Sequence, residues 1–344
     1  MSRTRSRSLT AAALVLATAL GWLAAAPATA QEADGLVAGQ ILMGTAGATL
    51  DESVLQVRLV ILEEEAVAGT VNATVTEGRY EARVPAVLSR TYVPVITYRD
   101  IQYFVPPAIL DPSAPEVVQD VTVYETTTER PDLTIESTTV TLVAIDRDLG
   151  QMGFLREDLV RNPGDRVYIG DDRGVTLRLP VPEGTLEGTG DNPEGTFTLE
   201  AGAISVALPI RPLSTTSVVT RTLVEYDVAE DEYTLRVTAP LAADLVQVRV
   251  PEGFLRGLDP QGGAGRAGDV IVGEAPDTTT LQVVSQATVG PGQGLIVRLD
   301  GFAPERRVNA LTEARGAMVA ALVTLLVVGG AVTAATLRRR SGGA

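Results

Sequence analysis

Clustered acids are the side chains in this sequence that come closest to a catalytic set. They occur as Asp171-Asp172, Glu230-Asp231-Glu232 and Asp146-x-Asp148. A glycosidase needs only two carboxylates at a suitable separation, and carboxylate oxygens in loops also suit Ca²⁺. Each cluster falls in a predicted turn, where acids commonly bond the backbone of the loop. The pattern therefore favours turns over an acid-pair hydrolase, and it leaves room for a calcium ion in a loop.

The missing residue types exclude more chemistry than the acids suggest. The chain contains no histidine and no cysteine among its 344 residues. Ser-His-Asp and Cys-His nucleophiles, imidazole and thiolate metal sites and disulfide bonds are therefore excluded. The single tryptophan, Trp22, lies near the N-terminus. We predict a protein that is not an enzyme and that has no cofactor.

One aromatic cluster could bind a ligand. Tyr92, Tyr98, Tyr103 and Phe104 flank the predicted turn at Arg99-Asp100. Such a cluster could form a ligand-binding patch, for example for a glycan. Cross-strand aromatic pairs also stabilise hairpins, and this packing role is the favoured interpretation.

The elements that must position these residues are strands. Short runs rich in Val, Thr, Leu and Tyr are broken every eight to twelve residues or so by Gly, Pro, Asn or Asp, and no long amphipathic helix appears. Alternating apolar and polar side chains predict strands with one buried face, which pack as sandwiches. Clear examples are residues 54–62, 79–85, 120–127, 174–182, 232–240 and 245–253. We predict an all-β protein of two or three β-sandwich modules plus one C-terminal transmembrane helix.

A polar stretch suggests where the modules divide. Residues 126–139 are rich in Thr, Glu and Pro and predict a linker between a first sandwich at 31–125 and a second region at 140–300. The second region is one large or two small sandwiches. The sequence Val-Pro-Glu-Gly ends a strand at 181–184 and again at 250–253. We interpret this near-repeat as one turn chemistry used twice rather than as duplicated modules.

Two uncharged segments predict the location of the chain. Three arginines, an apolar run and the small residues Ala28-Thr29-Ala30 predict a signal peptide at 1–30, although an uncleaved anchor remains an alternative. Residues 316–337 are uncharged and, at about 1.5 Å per residue, long enough to span a bilayer as a helix. The arginines at 338–340 then predict that the tail, residues 338–344, is cytoplasmic. Residues 301–315, between the second sandwich region and the helix, would form a short stalk. We expect a single-pass plasma-membrane protein with its N-terminus outside and its C-terminus in the cytoplasm.

The charge of the exported part limits its partners. Residues 31–315 carry all 43 acids of the chain and 22 of its 28 arginines, a net charge of −21. This charge repels nucleic acids and anionic lipids. We therefore expect no nucleic-acid partner.

The first module contains a set of motifs that occur together in one known family. They are GLVAGQI (35–41), VLQVRLVI (54–61), Thr76-Glu77-Gly78-Arg79-Tyr80, Val84-Pro85 and YVPVITYRDIQYF (92–104). With these motifs the module resembles the transthyretin-like, carboxypeptidase regulatory-like sandwiches of exported bacterial proteins, in which an acidic-Gly-x-aromatic turn precedes a strand that ends near Val-Pro, and a tyrosine-bearing hairpin follows. Here the turn carries Glu77 where the family usually has Asp. The resemblance implies a sandwich with a non-catalytic interaction or spacer role and keeps a glycan ligand open.

Together these patterns predict a non-catalytic protein of a bacterial cell envelope. Its sandwiches would be presented to a protein partner or to an envelope assembly. A carbohydrate-binding surface module is the alternative, and an acid-pair hydrolase is the third and least favoured function.

Overall fold

The computed structural model describes residues 33–64, 66–273 and 278–302, and these fall into two compact units. Unit 1 contains residues 33–43 and 49–123, and unit 2 contains residues 44–48 and 124–302. The all-β prediction is confirmed over this part of the chain, where the one helical element is a single 3₁₀ turn. The predicted signal peptide, transmembrane helix, tail and most of the stalk lie outside the described residues. In the part that is described, no helix has the length and apolar character needed to cross a bilayer.

Unit 1 contains ten strands and the 3₁₀ turn Glu52–Val54. Its strands are β1 (Asp34–Met43), β2 (Leu55–Glu63), β3 (Ala66–Asn72), β4 (Thr74–Thr76), β5 (Arg79–Pro85), β6 (Arg90–Tyr98), β7 (Ile101–Phe104), β8 (Ala108–Ile109), β9 (Glu116–Val118) and β10 (Val121–Val123).

These strands form two five-stranded sheets that face each other across one core. The first sheet has the order β10-β1-β5-β4 with β9 also on β1, and the second has the order β3-β2-β6-β7 with β8 also on β6. Alternation along β5 turns Tyr80, Ala82 and Val84 inward, and alternation along β6 does the same for Tyr92 and Ile96. Unit 1 is therefore a β-sandwich.

The strand that pairs in parallel with β1 is interrupted between β9 and β10. β9 pairs with residues 36–38 and β10 with residues 41–43 at the same offset, so Gln119 and Asp120 lie opposite Gly39 and Gln40. The Asp120 carboxylate accepts a hydrogen bond of 2.8 Å from the backbone amide of Gln40, and the backbone amide of Gln119 donates to the Ala38 carbonyl at the same distance. Gly39 is required at this interruption, because a Cβ there would lie 1.8 Å from the Gln119 carbonyl oxygen.

Unit 2 contains fifteen strands. They are β11 (Thr126–Thr127), β12 (Thr134–Asp146), β13 (Gln151–Arg161), β14 (Val167–Tyr168), β15 (Leu177–Pro180), β16 (Thr185–Gly190), β17 (Thr196–Glu200), β18 (Ala203–Ala207), β19 (Thr215–Glu225), β20 (Glu232–Thr238), β21 (Ala243–Pro251), β22 (Gly257–Gln261), β23 (Gly265–Val272), β24 (Thr279–Val289) and β25 (Gly294–Asp300).

One large sheet, two small three-stranded sheets and a two-stranded pair make up unit 2. The large sheet has the order β16-β19-β13-β12-β21-β24-β23, the small sheets have the orders β15-β18-β17 and β20-β25-β22, and β11 pairs in parallel with β14. Buried residues from the large sheet, both small sheets and β14, such as Phe154, Leu179, Val297 and Tyr168, belong to one continuous apolar cluster. The second region is thus one large sandwich with a single core.

The polar stretch at 126–139 is not a free linker throughout. Unit 2 begins at Tyr124, and residues 134–139 form the first half of β12, in the middle of the large sheet. Their polarity is misleading because Thr138 and Thr139 are buried on opposite faces of the sheet and are hydrogen-bonded there. The two Val-Pro-Glu-Gly sequences end in glycines with φ of +75° and +82°, as expected for one turn chemistry used twice.

Candidate functional site

The aromatic cluster predicted from the sequence divides between the two faces of the second sheet of unit 1. Tyr92, Tyr98 and Tyr103 are buried on the inner face, where the Tyr92 hydroxyl donates to the Pro85 carbonyl oxygen. Phe104 points outward, and 60% of its surface is exposed. The four side chains do not form one surface patch, because adjacent residues of a strand point to opposite faces. The three tyrosines belong to the buried interior of unit 1.

Phe104 belongs instead to a surface that was not predicted from the sequence. We call it the apolar outer face: the outward side of the sheet formed by β3, β2, β6, β7 and β8. The strand register places its side chains in four rows, which are Gln56, Thr97 and Gln102; Asn72, Arg58, Val95 and Phe104; Thr70, Val60 and Val93; and Val67, Leu62, Thr91 and Ile109.

The composition of the apolar outer face is unusual for this chain. Seven of its fourteen side chains are apolar, six are neutral and polar, and Arg58 carries the one charge. Ile109 and Val67 are 57% and 68% exposed, and both lie in the same row as Leu62. Val95 is only 3% exposed, and Val60, Leu62 and Val93 are half-buried, so the largely exposed apolar side chains of this face are Val67, Phe104 and Ile109. Exposed apolar side chains that share one surface commonly mark a site of protein interaction.

The strands beneath this face carry the signal that could have revealed it. Residues 59–62 (LVIL) of β2 and 93–96 (VPVI) of β6 are uninterrupted apolar runs, not alternating ones. Such runs are typical of strands that are covered on both faces. Within unit 1 only the inner face of these strands is covered by a second sheet. The outer face is therefore suited to a covering layer from another molecule.

The predicted acid clusters hold turns. The Asp146 carboxylate accepts hydrogen bonds of 3.0 Å from the backbone amides of Asp148 and Leu149. The Asp171 carboxylate accepts hydrogen bonds from the backbone amides of Val175 and Arg173, and these bonds lower the pKa of Asp171. Among the described residues, no three acids lie close enough together to hold a metal ion.

Asp231 has a different structural role. Its two carboxylate oxygens pair with Arg147 at 2.9 Å and with Arg256 at 2.8 Å. Arg147 also donates to the carbonyl oxygen of Phe302, the last described residue. Both guanidinium groups neutralise the carboxylate, so this acid is held in ion pairs at the end of unit 2. It is therefore poorly suited to be a catalytic acid or base.

A shallow groove of about 330 Å³ lies on the large sheet of unit 2. Gly153, Gly188 and Ala144 line it with little side-chain bulk, while Leu155 and Leu223 supply apolar side chains. Glu187 and Arg221 are the two charged residues of its lining. The groove could accept an apolar side chain. Its sequence signal is Gly153, a glycine inside a strand pattern.

A buried ion pair lies in the core of unit 2. The guanidinium of Arg156 contacts both carboxylate oxygens of Asp158, at 2.7 and 3.0 Å, and the Thr138 hydroxyl donates to the same carboxylate at 2.6 Å. Arg156 also donates to the carbonyls of Pro180 and Thr238, in the two small sheets. These contacts satisfy the buried charges and join the layers of the sandwich.

Comparison with known proteins identifies no relative that could assign a function. No family model and no curated protein matches the chain. Among solved structures, a DUF3823 family protein from Parabacteroides merdae aligns over 60% of this chain and 90% of its own, with 10% identity and a TM-score of 0.18. The T6 backbone pilin of Streptococcus pyogenes aligns over 74% and 75%, with 8% identity and a TM-score of 0.17. Likeness at this level identifies neither a family nor an activity.

Proposed function

We propose that this chain is a non-catalytic protein of the bacterial cell envelope that binds a protein partner through the apolar outer face. The observation that carries the proposal is the composition of that face, which has one charge and seven apolar side chains, three of them largely exposed. Covering such a surface removes apolar area from water at about 25 cal/mol per Å², which favours association.

The envelope location in this proposal rests on the sequence. A cleaved signal at 1–30 would export the chain, and a helix at 316–337 would hold it in the plasma membrane with the arginines at 338–340 in the cytoplasm. In that arrangement both units lie outside the cytoplasm, where an apolar surface can meet other envelope proteins.

A transthyretin-like character for unit 1 is part of the same proposal. Its support is the turn between β4 and β5, where Glu77 and Gly78 have φ of +52° and +73° and lead into Arg79 and Tyr80. This is the position of the acidic-Gly-x-aromatic turn on which the resemblance rests. The following strand ends at Val84 and Pro85.

The proposal assigns no reaction and no glycan. Asp146 and Asp171 accept hydrogen bonds from turn amides, and Asp231 pairs with arginines, so these three candidate acids have structural partners. A glycan site would need exposed aromatic rings on which sugars stack, whereas Tyr92, Tyr98 and Tyr103 are buried. Phe104 by itself is more suited to an apolar protein surface.

Photo-cross-linking in living cells tests the proposal. A photoreactive phenylalanine analogue replaces Phe104 in the full-length chain, since it changes that side chain least. The matched control carries the same analogue at Val118, which is 57% exposed on β9 of the other sheet. We expect irradiation to attach a protein of defined mass at position 104 and none at position 118. Equal adducts at both positions, or no adduct at 104, would contradict the proposal.

A further inference from the structure

We infer that the partner covering the apolar outer face is a second copy of this chain, which forms a face-to-face homodimer. This inference rests on the proposed function, because it names the partner of the same surface. A dimer of this kind is isologous: the same patch of each copy contacts the other about a two-fold axis.

Charge is the first argument for a second copy. The chain carries a net charge of −15, so two copies repel each other over most of their surfaces. The apolar outer face has no acid, and its one charge, Arg58, is on an exposed side chain. Two copies can approach across this face without bringing carboxylates together. A basic partner attracted by the acidic surface would gain nothing at this site.

Complementarity of the two surfaces is the second argument. A surface that is half apolar and carries no acid is best covered by another such surface, because a partner's charged side chain would lose its hydration when buried there. The same face on a second copy meets this requirement. Aligned packing of two sheets at about 10 Å, as in a sandwich, would interdigitate Val60, Val93 and Phe104 with their counterparts.

The size of the face limits the area that a dimer can bury. Four rows spaced about 6.7 Å apart on four strand positions about 4.8 Å apart give roughly 500 Å². Two such faces bury about 1,000 Å² in total, at the lower end for specific interfaces. We therefore expect a reversible dimer with a dissociation constant in the micromolar range.

Salt should strengthen this dimer. Raising sodium chloride from about 0.05 M to about 0.5 M shortens the screening length and weakens the repulsion between the two acidic copies. The apolar contact itself is not weakened by screening. Association should therefore become several-fold tighter, whereas a contact held by opposite charges would become weaker.

Cysteine cross-linking of the full-length chain, purified in a mild detergent, tests the inference. The chain has no cysteine, so Val93→Cys introduces a unique thiol near the centre of the face. We expect a short bismaleimide to give a product of twice the chain mass at micromolar concentration, with a yield that rises with salt. Val118→Cys, on the other sheet, should give no such product.

Charge variants on the Val93→Cys background complete the test. Phe104→Glu places an extra carboxylate from each copy in the contact and should reduce the yield at least tenfold. Val118→Glu adds the same charge at a matched exposure, 57% against 60%, and should leave the yield unchanged. Ile109→Glu repeats the test at a second position, and circular dichroism checks that each variant is folded.

The outcomes separate this inference from the proposed function. A double-mass product that disappears with Phe104→Glu and persists with Val118→Glu supports the homodimer. No double-mass product, or one that survives both face variants, overturns it. If photo-cross-linking at position 104 attaches a different protein while the cysteine test fails, the apolar outer face binds a heterologous partner and only the homodimer is wrong.

Discussion

At the scale of single residues, the two buried charges of unit 2 show how strongly a polar group depends on its partner. Asp158 is completely buried and accepts hydrogen bonds from Arg156 and Thr138. A buried ion pair adds little over an apolar pair of the same size, but removal of one member leaves the other charged and unpaired in the core. The cost of that change is much larger than for an exposed pair.

Asp158→Ala should therefore lower the free energy of unfolding of unit 2 by about 3–5 kcal/mol. Denaturant unfolding followed by circular dichroism measures this change. The matched control is Glu232→Ala, which removes an exposed pair with Arg298 and should cost less than about 1 kcal/mol. Similar losses in the two variants would show that the buried pair has no special role.

The phenol of Tyr80 predicts a loss of stability in alkali. Burial, and secondly the nearby Asp120 carboxylate, raise the pKa of Tyr80 to about 12, whereas an unfolded tyrosine has a pKa of about 10. The folded state thus favours the neutral phenol. Its stabilisation is complete below pH 10, roughly, and is lost as the pH rises to about 12, a change of about 3 kcal/mol.

Comparison of the wild-type chain with Tyr80→Phe isolates this effect. The variant also loses the hydrogen bond of 2.7 Å from the Tyr80 hydroxyl to the Gln119 carbonyl, so it should be less stable at neutral pH. Between about pH 10 and pH 12 its free energy of unfolding should fall less steeply than that of the wild type. Parallel curves over that range would mean that Tyr80 does not titrate on unfolding.

At the scale of elements, the interruption between β9 and β10 shows how one strand is fitted to its neighbour. Gln119 and Asp120 keep the register with β1, and the Gln119 carbonyl comes so close to β1 that Gly39 must supply the space. A glycine inside a strand normally weakens the strand because glycine is flexible. The close approach of the two backbones explains why a glycine occurs at position 39.

Gly39→Ala should destabilise unit 1 by several kcal/mol, about 2 or more, because its Cβ would overlap a backbone oxygen that cannot move without breaking the parallel pairing. Gly69→Ala is the matched control on edge strand β3, where nothing lies within 4 Å of an added Cβ. This control should be neutral or slightly stabilising. Thermal unfolding of both variants decides the matter, and equal midpoints would contradict this account of the close approach at Gly39.

At the scale of the whole molecule, the membrane topology is the prediction with the widest consequences. The proposed function requires both units outside the cytoplasm and the C-terminal tail inside. In whole cells, with any outer layer made permeable, an added protease should digest the units while a tag on Ala344 stays protected. Digestion of the tag in unlysed cells would reverse the topology, and protection of both parts would place the chain inside.

The fold was largely predictable from local patterns, and the candidate site was only partly so. Alternation along β5 and β20 placed strands at 79–85 and 232–240, close to the observed Arg79–Pro85 and Glu232–Thr238. The aromatic cluster was placed correctly on a hairpin, but its four side chains divide between two faces. A period of two residues assigns relative faces along a strand, and it does not say which face is covered.

The sequence by itself determined the all-β class, because alternation and turn residues act over a few positions, and it excluded histidine and cysteine chemistry by composition. Only the tertiary structure decided that β12 begins within a polar stretch, that the Arg156–Asp158 pair is buried against Thr138, Pro180 and Thr238, and that β2 and β6 keep one apolar side outward. These features depend on strand register and on layer contacts between residues far apart in the chain. No local pattern encodes which strands become neighbours.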